Sequence, residues 1–225
     1  MKVAFFDVDG TLTNKPIWEG LIEYFKSKGK IPLGSIIFRL YLWPLYFLYK
    51  LKLLPQTSFR KPWAKHLPWY FMGMSVVEAE EMWDWILTEY IPKIMREDSL
   101  GLVQKHLGDG DLVVFISASP EPIIKRIAEY YGVSHVVATR PKQKRGKYSG
   151  GVEGDVCMGE NKVKMALAYL DEVGVEVDMK SSYAYADSPG DVYLLEMVGN
   201  PVATHPDSDL TKIVKGRNWE KYPPQ

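Results

Sequence analysis

Cysteine is nearly absent from this chain: Cys157 stands alone among 225 residues. One thiol excludes an internal disulfide framework and a cysteine-rich zinc site, and it fits a reducing, cytoplasmic setting. Net charge is absent too, with 28 basic residues against 28 acidic ones. A balanced charge gives no electrostatic footprint for nucleic acid as a partner. The N-terminus opens on a strand pattern without the apolar core of a signal peptide, so secretion is not expected. The four histidines, His66, His106, His135 and His205, have no ligand spacing and read as structural or exposed. No internal repeat or low-complexity tract interrupts the chain.

Long uncharged apolar runs are also missing, although one segment comes partway. Residues 36–54 are strongly apolar and aromatic, but the run between Arg39 and Lys50 is about half of what a bilayer crossing needs, and Pro44 interrupts it. Three readings remain for it: a core helix of an insertion, a lid over an apolar substrate, or a helix lying at a membrane interface.

What the chain does have is a change of pattern along its length. Residues 3–6 form a short apolar run that reads as a buried strand. From 16 to 98 the spacing is helical almost throughout. Thr57 is a candidate cap there, and Ser75 with Glu78 has the spacing of a capping box. Four of the seven tryptophans lie between Trp43 and Trp83. From Asp111 onward strands alternate with helices: strands at 112–116, 134–138, 182–186 and 201–203, helices at 120–131, 161–173 and 191–198. Residues 139–155 read as a basic, glycine-rich surface hairpin. Such alternation predicts an α/β fold, a Rossmann-like parallel sheet with helices on both faces, carrying an all-helical insertion after its first strand.

The first strand ends in Asp7-Val8-Asp9-Gly10-Thr11. Alternation puts Asp7 and Asp9 on one side of an extended backbone, and two such carboxylates repel unless a cation or proton lies between them. A surface Asp-x-Asp-Gly turn or a fragment of a calcium loop is the plain alternative. Ligands of open parallel sheets bind beyond the carboxyl ends of the strands. There the second strand contributes Ser117, Ala118 and Ser119 before a helix N-terminus, a seat for phosphate oxygens on unpaired amides. The strand ending at Ala186 contributes Asp187 and Asp191, and Lys162 opens the preceding helix. Four carboxylates, a serine and a lysine on one rim suit an octahedral Mg²⁺ and a phosphoryl group.

These residues resemble the haloacid dehalogenase superfamily of phosphohydrolases, in its phosphoserine-phosphatase-like branch. The likeness rests on Asp7-Val8-Asp9-Gly10-Thr11, Phe115-Ile116-Ser117, Lys162, and Asp187-Ser188-Pro189-Gly190-Asp191, over roughly residues 1–14 and 98–209. It implies a core of residues 1–14 and 99–225 with a helical cap at 15–98. It implies Asp7 as nucleophile and Asp9 as acid and base. Mg²⁺ would be held by Asp7, Asp187 and the Asp9 carbonyl, with Asp191 supporting the metal shell or Lys162. Ser117 and Lys162 would grip the phosphoryl oxygens, aided by Gly10, Thr11 and Ala118. A carbon–halogen hydrolase has no alkoxide to protonate, so Asp9 points to phosphate transfer, with phosphomutase chemistry left open.

Phosphoserine-selective members hold the substrate ammonium with a cap glutamate nine residues after the nucleophile. Pro16 stands there, with Glu19 and Glu23 further on. The cap is instead aromatic and ringed by Arg39, Lys50, Lys52, Arg60, Lys61 and Lys65. The expected substrate is a phosphorylated small molecule or an amphiphilic, lipid-like phosphomonoester. The 36–54 segment would then give peripheral contact at the inner membrane face. A soluble metabolite phosphatase and a non-catalytic membrane-interaction module are the alternatives.

Overall fold

The computed structural model describes residues 1–51, 53–54, 56–217 and 219–223. Strand β1 (Val3–Asp7) leads into α1 (Trp18–Ser27), α2 (Leu33–Lys50) and α3 (Gln56–His66). A 3₁₀ turn (Leu67–Phe71), α4 (Val76–Trp85), a π turn (Ile86–Tyr90) and α5 (Glu97–Gly108) complete the helical run. Then come β2 (Leu112–Pro120), α6 (Glu121–Tyr130), β3 (His135–Lys144), β4 (Lys147–Glu153) and α7 (Glu160–Glu172). The chain finishes with β5 (Tyr183–Ala186), α8 (Val192–Glu196), β6 (Asn200–Thr204), α9 (Ser208–Lys215) and β7 (Glu220–Tyr222).

The strands form one sheet in the order β4-β3-β2-β1-β5-β6-β7. Every pairing is parallel except the β3–β4 hairpin, which occupies the basic stretch expected to turn back on itself. β1 lies at the centre because its five residues are buried on both faces, as a near-continuous apolar strand requires. Strand alternation then sorts its side chains. Ala4 and Phe6 join a core with Phe38, Phe71, Trp83 and Ile123, on the side of the helical insertion. Val3 and Phe5 join a second core with Ala166, Leu170, Leu194 and Leu210 from α7, α8 and α9.

The capping box forms as expected: Glu78 N–H donates to Ser75 Oγ at 3.1 Å, and Ser75 N–H to Glu78 Oε2 at 2.8 Å. The helix it starts is shorter than its apolar spacing suggests, because the backbone passes into the π turn at Ile86. β7 was not foreseen from sequence; three residues are too few to show a period. Thr57, expected as a cap, instead lies inside α3, and the place of Lys52 in the basic ring falls outside the described residues. Among the described residues, no helix is long and apolar enough to cross a membrane.

Candidate active site

All the sequence-predicted site residues lie at the carboxyl edge of the parallel sheet, but they divide into two groups. Asp7 is the last residue of β1 and is almost fully buried. By alternation it shares a face with Val3 and Phe5, the face that α7 covers. That packing brings Lys162, in the first turn of α7 and buried, to the strand end. Lys162 Nζ donates to Asp7 Oδ1 and to Asp191 Oδ1, each at 2.5 Å. The Thr11 hydroxyl donates to Asp7 Oδ2 at 3.1 Å, so both oxygens of Asp7 are held.

Asp9 lies past the strand end and has a separate set of partners. Its Oδ1 accepts the Ile17 N–H at 2.7 Å, which ties the start of the helical insertion to the site. Its Oδ2 accepts two hydroxyls, Ser117 at 3.0 Å and Ser119 at 2.8 Å. Ser119 was not singled out from sequence as a partner of Asp9. Ser117 and Ser119, two residues apart in β2, lie on one side by strand alternation, and the β2–β3 register slips between Ser117 and Pro120. The Ser119 N–H is also spent, donating to Ser117 Oγ at 3.0 Å. The expected row of unpaired amides before α6 is therefore partly closed by a side chain of the same loop. Ala118 lies between the serines, half-buried.

The turn between the aspartates is held by Val8, whose carbonyl accepts from Leu12 N–H at 2.9 Å and Thr13 N–H at 3.1 Å. Gly10 sits there with φ +92°, and a Cβ on it would stand 2.2 Å from Asp187 Oδ2. Glycine is needed for both reasons, the left-handed backbone and the close approach of Asp187.

Beyond β5, Ser188 Oγ donates to Asp191 Oδ2 at 2.8 Å. Arg60, from α3 of the insertion, donates through Nη1 to Ser188 Oγ at 2.9 Å. In the sequence Arg60 belongs only to the basic ring around the cap, and no spacing signals its contact with Ser188 across 128 positions. On the Asp9 side, the Tyr90 hydroxyl lies 3.3 Å from Glu19 Oε2 and 3.2 Å from the Pro16 carbonyl.

One ligand oxygen each from Asp7, Asp187 and Asp191 lies within 4.8 Å of the other two. Burial, with the Asp191 and Asp9 charges added and Lys162 opposing, pushes the Asp7 carboxyl up to about 7. Asp187 is raised well above the carboxylate range by burial and by Asp7 and Asp191, against the pull of Arg60 and Lys162. Burial works against the Lys162 ammonium, yet Asp191 and Asp7 outweigh it and hold the proton more tightly than on an ordinary lysine. Three clustered carboxylates therefore carry more negative charge than one buried ammonium offsets. An all-oxygen donor set short of positive charge fits a hard divalent cation such as Mg²⁺.

This parallel sheet, with a carboxylate cluster at its carboxyl edge and a helical insertion after its first strand, has the layout of a Rossmann-like α/β enzyme. Residues 4–196 match the family model of haloacid dehalogenase-like hydrolases, and the chain belongs to that family. It is similar to the phosphoserine phosphatase SerB1 of Mycobacterium tuberculosis, with 30% identity over 96% of this chain and 69% of that protein. It is also similar to a histidinol-phosphatase of Neisseria meningitidis, with 28% identity over 97% of this chain and 96% of that one. A protein of unknown function from Bordetella pertussis superposes with a TM-score of 0.83 at 26% identity, covering 98% of this chain and 97% of its own. A phosphoserine phosphatase in apo form shares the fold, with a TM-score of 0.63 at 17% identity over 94% and 90% of the two chains. Within the family the chain is thus a phosphatase of the phosphoserine-phosphatase-like branch.

Proposed function

We propose that the chain hydrolyses phosphomonoesters with Asp7 as nucleophile and Asp9 as general acid and base. The carrying observation is the division of labour between the two carboxylates. Asp7 is clamped by Lys162 and Thr11, while Asp9 is held apart by Ile17, Ser117 and Ser119.

An Asp7 oxygen attacks phosphorus, and the bond from phosphorus to the ester oxygen breaks. Asp9 passes a proton to that leaving oxygen, so the alcohol departs neutral. Asp9, now a carboxylate, takes a proton from water as the water oxygen attacks the aspartyl phosphate. Inorganic phosphate leaves and the Asp7 carboxylate is restored. Lys162 opposes the rise in the Asp7 pKa, orients the carboxyl, and would meet charge building on the phosphoryl oxygens, an effect worth several kcal/mol. Ser117, whose hydroxyl donates to Asp9 here, would turn it to the phosphoryl group when substrate binds, aided by Gly10, Thr11 and Ala118. Asp7, Asp187 and the Asp9 carbonyl would hold Mg²⁺, with Asp191 fixing Lys162 beside them. The bound cation would neutralise phosphoryl charge.

Phosphorylated small molecules are the first substrate class, because the relatives named for an activity are phosphatases of such esters. A second reading, an amphiphilic or lipid phosphomonoester, is favoured by the aromatic surface of α2, where Trp43 and Phe47 are exposed. The test is Asp7→Asn. Mg²⁺-dependent release of phosphate from p-nitrophenyl phosphate should vanish while the circular dichroism spectrum persists; retained turnover would remove Asp7 from the nucleophile's role. Release from lipid vesicles measured against soluble esters separates the two substrate classes.

A further inference from the structure

Helix α2 is apolar on two sides, yet only one is used by the fold. Gly34, Phe38 and Leu42 are buried at helical spacing, and Phe38 packs edge-on against Trp63 and Tyr70. The attachment is close: a Cβ on Gly34 would stand 1.8 Å from the Trp69 carbonyl oxygen. The helix is therefore fixed by its inner face, and its outer face is presented rather than frayed.

That outer face carries a second apolar stripe at helical spacing. Leu33, Ile36, Leu40, Trp43 and Phe47 are all exposed, Leu40 by 75% and Phe47 by 64%. Among the described residues, eleven of the eighteen large exposed hydrophobics fall in 31–53. A helix apolar all round belongs in a core or against lipid, and contiguous exposed apolar surface of this kind marks an interaction site.

The charge around the stripe selects the occupant. Between Glu23 and Glu78 the chain has no acidic residue, while nine lysines and arginines fall in that interval. Arg39 and Lys50 stand on α2 itself and are exposed, with Lys50 Nζ 5.5 Å from the Tyr46 ring centroid. A second copy docked through the same face would set these cations against their own equivalents, with no carboxylate on the segment to pair them. A surface of anionic headgroups meets both features at once: apolar and aromatic side chains enter the headgroup region while the cations meet lipid phosphates.

We propose that the outer face of α2 docks on a bilayer surface bearing anionic lipids. Docking there also sets the active site near the membrane. Phe59 of α3 packs against Tyr46 and Tyr49 of α2, and the next residue, Arg60, donates to Ser188 at the site. The inference stands apart from the reaction at Asp7, because it concerns the exposed outer face of α2.

Flotation of the full chain with phosphatidylcholine vesicles, with and without phosphatidylglycerol, tests it. Binding should require phosphatidylglycerol and weaken with salt, as screening demands. Leu33→Glu and Leu40→Glu remove exposed side chains and should each lower the bound fraction by roughly tenfold or more. Their hydrolysis of p-nitrophenyl phosphate should match the parent chain, and Asp7→Asn should bind vesicles as the parent does. Three results would overturn the proposal: no binding to anionic vesicles, equal binding by the two glutamate variants, or a dimer in solution that those variants dissociate.

Discussion

Ser119 donates its hydroxyl to Asp9 Oδ2 at 2.8 Å, alongside the Ser117 hydroxyl on the same oxygen at 3.0 Å. Two hydroxyls on one oxygen leave Oδ1, which accepts only a backbone N–H among the bonds described, and they fix the plane of the carboxyl group. Asp9 is thereby aimed by neutral donors among the described residues.

Ser119→Ala should therefore lower kcat with little change in KM. A hydrogen bond to a charged group is worth about 1.5–3 kcal/mol, and a loss of that order in orientation corresponds to roughly tenfold or more in rate. Steady-state kinetics on p-nitrophenyl phosphate measure it. An unchanged kcat would mean that Ser117 alone positions Asp9.

Lys162 joins Asp7 and Asp191 in the interior, so its removal strands buried carboxylates. Lys162→Met keeps most of the side-chain volume and should destabilise the fold by about 3–5 kcal/mol as well as abolish turnover. Urea denaturation gives the stability and phosphate release the activity. A variant as stable as the parent would show that the pair contributes only to catalysis.

Gly10 and Asp187 are in such close approach that a methyl group at position 10 has no room. Gly10→Ala should displace the Asp187 carboxylate and strain a backbone held at positive φ. Added Mg²⁺ should raise the melting temperature of the parent chain, because a cation bound only by the folded state stabilises it. The same addition should shift Gly10→Ala and Asp187→Asn much less. Equal shifts in all three would place the cation elsewhere.

Cys157 is fully buried, and burial pushes its thiol up to about 12, with Lys162 pulling the other way and Asp7 and Asp191 adding to the rise. The thiolate is the reactive form, so iodoacetamide at pH 8 should not label the native chain. Labelling should begin where denaturant unfolds it, and mass spectrometry follows both states. Rapid native labelling would mean that the β3–α7 region opens locally.

Asp7, Asp9, Asp187, Asp191 and Ser117 are legible in the sequence because of what a parallel sheet does to its strand ends, while Lys162, in the first turn of α7, is picked out by the family resemblance. Each strand there is announced by a short apolar run, and the residues that follow such runs share one edge whatever the loops between them. The same logic brings Ser119 to the edge but does not show that its hydroxyl goes to Asp9. It does not reach Arg60, whose contact with Ser188 depends on how α3 settles over the sheet. Asp7 and Asp9, neighbouring carboxylates by strand alternation, take different hydrogen-bond partners. Lys162 serves Asp7, and hydroxyls serve Asp9.

By itself, then, the sequence determined the α/β class, the helical insertion after β1, and the carboxylates at the sheet edge, since apolar period and strand ends are local properties of the chain. Only the tertiary structure decided which oxygen meets which donor, because hydrogen bonds operate within about 3 Å and such distances between remote residues follow from packing. It also decided which side of α2 remains exposed. Both sides are apolar in sequence, and the fold could bury only the one that faces the 3₁₀ turn at Leu67–Phe71.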